Sequence, residues 1–164
     1  LPATVAPDLP RGHETILLAE DDPSVRGLAT TMLTRQGYHV LTAANGDDAL
    51  ALAAQHPERI DLLLTDVVMP GMNGSELSER LLRLRPGLAV LFASGYTEDT
   101  ILRHGVRGET PRFLTKPFTL PTLANKVRQV LDAKPAGPTT PPAAAGPVAR
   151  GSKPPGSGEP SRVR

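Results

Sequence analysis

The chain has no cysteine among its 164 residues, which excludes both a disulfide framework and a thiolate metal site. It has almost no net charge either, +1 from 18 basic and 17 acidic side chains. Nothing global therefore points to a nucleic-acid partner. No apolar run approaches the ~20 residues needed to cross a bilayer, so no membrane segment is expected. The opening LPATVAPDLPRG lacks the apolar centre of a secretory signal, and a cytoplasmic location is the expectation. The first residue is leucine, as expected of a piece cut from a longer protein.

The charge is small in sum but unevenly placed. From Ala133 to Arg164 five basic residues stand against one acid, Glu159. That is +4 of the overall +1, so the remainder carries −3. The same 32 residues hold 8 prolines and 5 glycines, with Val148 and Val163 as their only large apolar side chains. Such a segment cannot bury enough surface to offset its ordering entropy, and residues 133–164 are expected to be a disordered basic tail. Residues 1–13, with three prolines and no apolar period, read as a linker. One folded unit over 14–132 remains, long enough for a proper core.

Within that unit short apolar runs alternate with helix-period segments. The runs are TILLA (15–19), HVLTA (39–43), DLLLT (61–65), LAVLFA (88–93) and RFLT (112–115). Val25, Leu28, Ala29, Met32 and Leu33 recur at helical spacing, as do Leu120, Leu123, Val127, Val130 and Leu131. Helix starts are marked by Asp22 before Pro23, Asn45 before Asp47 and Asp48, and Asn73 with Glu76 three residues on. Thr97 and Thr119 mark a fourth and a fifth. The pattern is (βα)5. Its central runs are apolar throughout, as strands covered on both faces should be. Right-handed crossovers then give an α/β three-layer sandwich around a doubly wound parallel sheet.

In open parallel sheets, ligands bind beyond the carboxyl ends of the strands. The first run is followed by Glu20, Asp21 and Asp22, the third by Asp66, the fourth by Ser94 and the fifth by Lys116. The second ends in alanines. A flavodoxin-like order of 2-1-3-4-5, one of the two common for this architecture, sets that silent strand at the edge and brings the other four ends together. Clustered carboxylates without His or Cys are hard oxygen ligands suited to Mg²⁺. A lysine beside them is a point charge for an anion, and a hydroxyl can donate to a phosphoryl oxygen. The set suits phosphoryl transfer, where positioning and charge neutralisation dominate, and a carboxylate can itself be the nucleophile.

TILLAEDDPSVR, LLLTDVVMPGMNG, LFASGYTED and FLTKPF, in this order and spacing, resemble the four signature blocks of the response-regulator receiver domain. The leader GHETILL resembles receivers at the C-terminus of hybrid histidine kinases. The resemblance implies that Asp66 is the phosphoacceptor. It implies that Asp21 binds Mg²⁺ directly and Glu20 through water, with the Val68 backbone carbonyl as a further ligand. Ser94 would bond the phosphoryl oxygen, Lys116 would pair with it, and the Lys116–Pro117 bond would be cis. Phe113 falls at the aromatic switch position, turning inward as Ser94 moves to the phosphate. The implied partner is a histidine kinase or a histidine phosphotransfer domain. The resemblance further implies that the receiver itself would be no kinase but would catalyse its own phosphotransfer and dephosphorylation, and it leaves open a histidine kinase as the parent chain.

Two departures stand out. The switch residue is Phe rather than the common Tyr, and RHGVRGETPR is longer and richer in glycine than usual. The latter alters the face made by the fourth helix, fifth strand and fifth helix, by which many receivers dimerise, so a monomer is expected. A stand-alone regulator, a pseudo-receiver that only binds protein, and an aspartyl-phosphate phosphatase are the competing readings. The intact Asp21, Asp66, Ser94 and Lys116 weigh against the second, and the lack of a capping insertion against the third. Asp22 reads as a helix cap only, Met69 and Met72 as loop packing, and the arginines of ERLLRLR as a solvated helix face. His13, His39, His56 and His104 share no cluster, so neither zinc nor a donor histidine is expected. A chain ended at Asp132 is expected to fold and to accept phosphate like the full chain. Strong protection of the tail amides in hydrogen exchange would contradict this.

Overall fold

The computed structural model describes residues 8–95 and 112–133. Among these are the strands β1 (Thr15–Ala19), β2 (His39–Ala43), β3 (Leu62–Asp66), β4 (Ala89–Ser94) and β5 (Phe113–Thr115). Between them lie the helices α1 (Pro23–Arg35), α2 (Gly46–Gln55) and α3 (Gly74–Leu84), and α4 (Leu120–Asp132) closes the series. All strand pairs are parallel and the order is β2-β1-β3-β4-β5. The helix expected after Thr97, the glycine-rich segment 103–111 and the basic tail from 134 lie outside the described residues.

Alternation along the strands builds two cores. Ile16, Leu18, Leu62, Leu64, Leu91 and Leu114 face α1 and α4, where Ala29, Leu33, Leu123 and Val127 meet them. Leu17, Ala19 and Leu63 face the other way, onto Ala49 and Ala53 of α2 and Leu77 and Leu81 of α3. This is why β1 and β3 are leucine-rich with no polar alternation. β2 leaves His39 and Thr42 exposed, as an edge strand can.

The helix starts fall where the capping residues predict. Asp22 accepts from the Ser24 and Val25 amides, Asn45 from Asp48, Asn73 from Glu76 and Thr119 from Thr122. The stripe assigned to α1 needs correction at Leu28, which is 52% exposed. Only Ala29 and Leu33 of α1 are buried. Leu28 lies about a third of a turn off their line and borders an apolar recess of about 250 Å³ with Val25, Lys116, Pro117 and Phe118. The arginines of ERLLRLR also divide. Arg80 pairs with Glu76 on the exposed face. Arg85 instead folds back onto the carbonyls of Ala53, His56 and Glu58, serving the open C-terminal end of α2.

The junction between β3 and α3 is close-packed backbone. A Cβ at Gly74 would collide with the carbonyl of Asp66 and crowd the Thr65 side chain, while the Gly74 amide donates to Val67 O at 2.9 Å. The obstacle is backbone, so it cannot swing aside. Gly74→Ala is expected to destabilise the fold by roughly 1–3 kcal/mol, read from the urea midpoint. An unchanged midpoint would mean that the junction is looser than drawn.

At the opposite pole Arg128 of α4 gathers the lead-in to β1. Its guanidinium donates to both Glu14 carboxylate oxygens, 2.7 and 3.2 Å, and to Arg11 O at 3.4 Å. The Gly12 amide donates to Gln36 O at 3.0 Å. The Arg128 hydrogen bond, opposed by burial, holds the Glu14 carboxyl down at about 2. An unfolded glutamate titrates near 4.3. The pair therefore stabilises the fold fully above that value, and the contribution fades as pH falls through about 2. Glu14→Gln is expected to cost about 1–2 kcal/mol at pH 7. The gap from the parent should close between about pH 5 and about pH 2, whereas a gap that stays constant would contradict the assignment.

Candidate functional site

The parallel ladder delivers the polar residues to one rim. Asp66 and Ser94 are the last residues of β3 and β4, one further along than the apolar runs suggested. Glu20 follows β1 and keeps to the ladder by donating its amide to Ala43 O at 3.1 Å. Lys116 follows β5, its amide donating to Ser94 O at 2.9 Å. The Lys116–Pro117 bond is cis.

Side chains then meet over this rim. Lys116 Nζ donates to Glu20 Oε2 at 2.6 Å and to Asp66 Oδ2 at 2.7 Å. The other Glu20 oxygen accepts the Asp22 amide at 3.1 Å, and Asp66 Oδ1 accepts the Val68 amide at 3.2 Å. Glu20, Asp21 and Asp66 each offer a carboxylate oxygen within 4.8 Å of the others. Ser94, the last residue of β4, is buried, and its carbonyl accepts the Lys116 amide. Glu20 is only 3% exposed, which is tolerable for a carboxylate whose two oxygens are both bonded.

Electrostatics follow from that burial. Desolvation pushes the Glu20 carboxyl above the usual carboxylate range, with the Lys116 hydrogen bond pulling the other way. Burial also works against the Lys116 ammonium. The hydrogen bonds to Asp66 and Glu20 outweigh it and raise Lys116 above the ordinary lysine value. Lys116 is thus held charged.

Three acids against one ammonium leave an excess of negative charge at a rim that Asp21 opens to solvent. All three donors are hard oxygens, the set that suits a divalent cation such as Mg²⁺, and the residues present fit that ion.

The structure brings the side chains of Glu20, Asp21, Asp66 and Lys116 to one place, ends β4 at Ser94 on the same rim, and sets the Val68 amide, not its carbonyl, against the Asp66 carboxylate. Phe113 lies apart, in an apolar group with Val67 and Phe92. Its ring centroid is 5.7 Å from that of Phe92. Asp22 acts as the cap it was read to be. Met72 packs closely on Gly46, joining the loop after β3 to the start of α2.

Two supporting residues escaped the sequence reading. Thr65 Oγ1 donates to the Asp66 carbonyl at 2.9 Å. Arg26, one turn into α1, donates from a terminal guanidinium nitrogen to Glu20 O at 2.6 Å and Asp21 O at 3.3 Å. The available signal was a long cation one helical turn beyond the triple acid.

Comparison with known proteins identifies the family. Residues 16–128 match the response regulator receiver domain family. Over 121 residues the chain is 37% identical to the sensor kinase CckA of Brucella abortus, covering 74% of this chain and 13% of that protein. It is 36% identical over 118 residues to the response regulator receiver protein CpdR of the same organism, covering 72% of this chain and 97% of CpdR. Among solved structures, the receiver domain of the hybrid histidine kinase CckA superposes with a TM-score of 0.60 at 39% identity, covering 71% of this chain and 98% of that one. The Vibrio cholerae chemotaxis protein CheY4 does so at 0.63 and 31%, covering 73% and 99%. The chain belongs to the response-regulator receiver family, the phosphorelay domains of two-component signalling.

Proposed function

We propose that Asp66 accepts a phosphoryl group from a phosphohistidine on a histidine kinase or phosphotransfer domain. The observation that carries this reading is the Lys116 ammonium bridging Glu20 and Asp66 at 2.6 and 2.7 Å. Such a bridge holds the Asp66 carboxylate in place as the attacking group and leaves a cation ready for the incoming phosphate. The Val68 amide on Asp66 Oδ1 fixes the rotation of the carboxylate. In the transfer the P–N bond of the donor breaks as a P–O bond to Asp66 forms, and the imidazole leaves with the bonding pair. Asp21 and Asp66, with the Val68 carbonyl and Glu20 through water, would hold Mg²⁺. Bound there, it supplies charge neutralisation for the phosphoryl oxygens. Ser94 donates to the phosphoryl group, and its displacement frees room for Phe113, whose half-buried ring already leans on Phe92.

The likeness to CckA supports reading the chain as the receiver part of a hybrid histidine kinase. The near full-length match to CpdR supports a stand-alone regulator instead. The coding sequence before Leu1 decides between them, since a kinase ATP-binding domain belongs only to the first.

Incubation with acetyl phosphate and Mg²⁺ should add one phosphoryl mass to the parent, in a base-labile adduct. Asp66→Asn, almost identical in shape, should fold normally and gain none. Lys116→Ala should still accept the group but fail to pass the change to Phe113, visible as unchanged amide exchange over β4 and β5. Equal phosphorylation of Asp66→Asn would place the acceptor elsewhere.

A further inference from the structure

The loop that carries two of the three clustered acids is held by a residue outside the cluster. Glu20 and Asp21 precede α1, and Asp21 is exposed, with no strand ladder of its own. The ladder ends at the Glu20 amide. From there the backbone carbonyls of Glu20 and Asp21 are both taken by one terminal nitrogen of Arg26, at 2.6 and 3.3 Å. Arg26 is half-buried, and α1 holds its base still, because its own amide is bonded to Asp22 O at 2.9 Å. Asp22 meanwhile caps the helix and passes its amide to Glu20 Oε1. The acidic turn and the first turn of α1 therefore form one hydrogen-bonded unit with the guanidinium at its centre.

We infer that Arg26 is a positioning residue for the divalent cation of the phosphotransfer site, fixing the carboxylates of Glu20 and Asp21 through their own backbone. This rests on the Mg²⁺ reading proposed above. Binding a small, exacting cation needs its carboxylates preset at short range. A loop free to rotate about Asp21 has to be ordered at the moment of binding, at an entropic cost taken from affinity. The guanidinium supplies that order beforehand.

The sign of the effect separates this role from plain electrostatics. A cation beside a metal site repels the metal, so removing the charge alone would tighten Mg²⁺. If Arg26 acts by position, removing it loosens Mg²⁺ despite the lost repulsion. Groups that support metal ligands from outside commonly contribute tenfold or more to affinity.

The experiment is titration calorimetry with Mg²⁺ alone, on the full chain and on Arg26→Gln, Arg26→Lys and Asp21→Asn, with thermal unfolding of each in the absence of metal. Arg26→Gln is expected to weaken Mg²⁺ by roughly tenfold. Arg26→Lys, which keeps the charge but is one bond shorter, is expected to fall between it and the parent. Native hydrogen exchange without metal should show the Asp22 amide less protected in Arg26→Gln than in the parent. Unchanged or tighter Mg²⁺ binding in Arg26→Gln overturns the inference. If that variant does not fold, Arg26→Lys binding Mg²⁺ as tightly as the parent overturns it equally. Asp21→Asn binding as tightly as the parent would instead overturn the metal assignment itself, so the two failures are distinct.

Discussion

A parallel sheet covered by helices on both faces has no room for charge except where its strands stop. The side chains of β1 and β3 are spent on two apolar cores, one against α1 and α4, the other against α2 and α3. An ionised group in either core would lose several kcal/mol of hydration with nothing to replace it. At the carboxyl rim the ladder ends, water reaches the backbone and acids become tolerable. Glu20, Asp66, Ser94 and Lys116 all occupy the last ladder position of their strand or the next one. The reactive rim is thus the complement of the two cores.

The rim is tolerable only because its charges answer one another. Lys116 is held charged against burial by two carboxylates, and Glu20 is held in place by an amide and that same lysine. The backbone beneath is equally tight. Gly74 leaves no space over the Asp66 carbonyl, Thr65 bonds the same oxygen, and Met72 locks the following loop to α2. Asp66 therefore presents its carboxylate from a platform with little freedom, the condition under which orientation contributes most to a displacement reaction.

Much of this could be read from the letters. Strands betray themselves by unbroken apolar runs, and β1 and β2 fall on the same residues as the runs that announced them. Four helix starts followed from Asp22, Asn45, Asn73 and Thr119, because a cap is a local contract between one side chain and an amide two or three residues on. The convergence of acids, hydroxyl and lysine followed from strand order. What escaped has a common physical cause. Arg26, Arg85 and Thr65 all end on backbone carbonyls, and a carbonyl is present at every residue, so no letter marks the one that will be used. Leu28 was misplaced for another reason. Helical period defines a stripe, but not how far around the helix the sheet reaches.

Lys116 lies 96 residues from Glu20 and 50 from Asp66 along the chain. Closing the longer of these loops costs roughly 4 kcal/mol of chain entropy beyond a constant, while β1, β2 and β3 follow one another through short crossovers. The acids come from the ends of β1 and β3, and their counter-charge comes with the last strand. Until β5 docks, the carboxylates repel one another and the rim has no lysine to receive a phosphate. The charge balance of the rim is thus a long-range property of the fold, with its acids and its ammonium drawn from opposite ends of the folded unit.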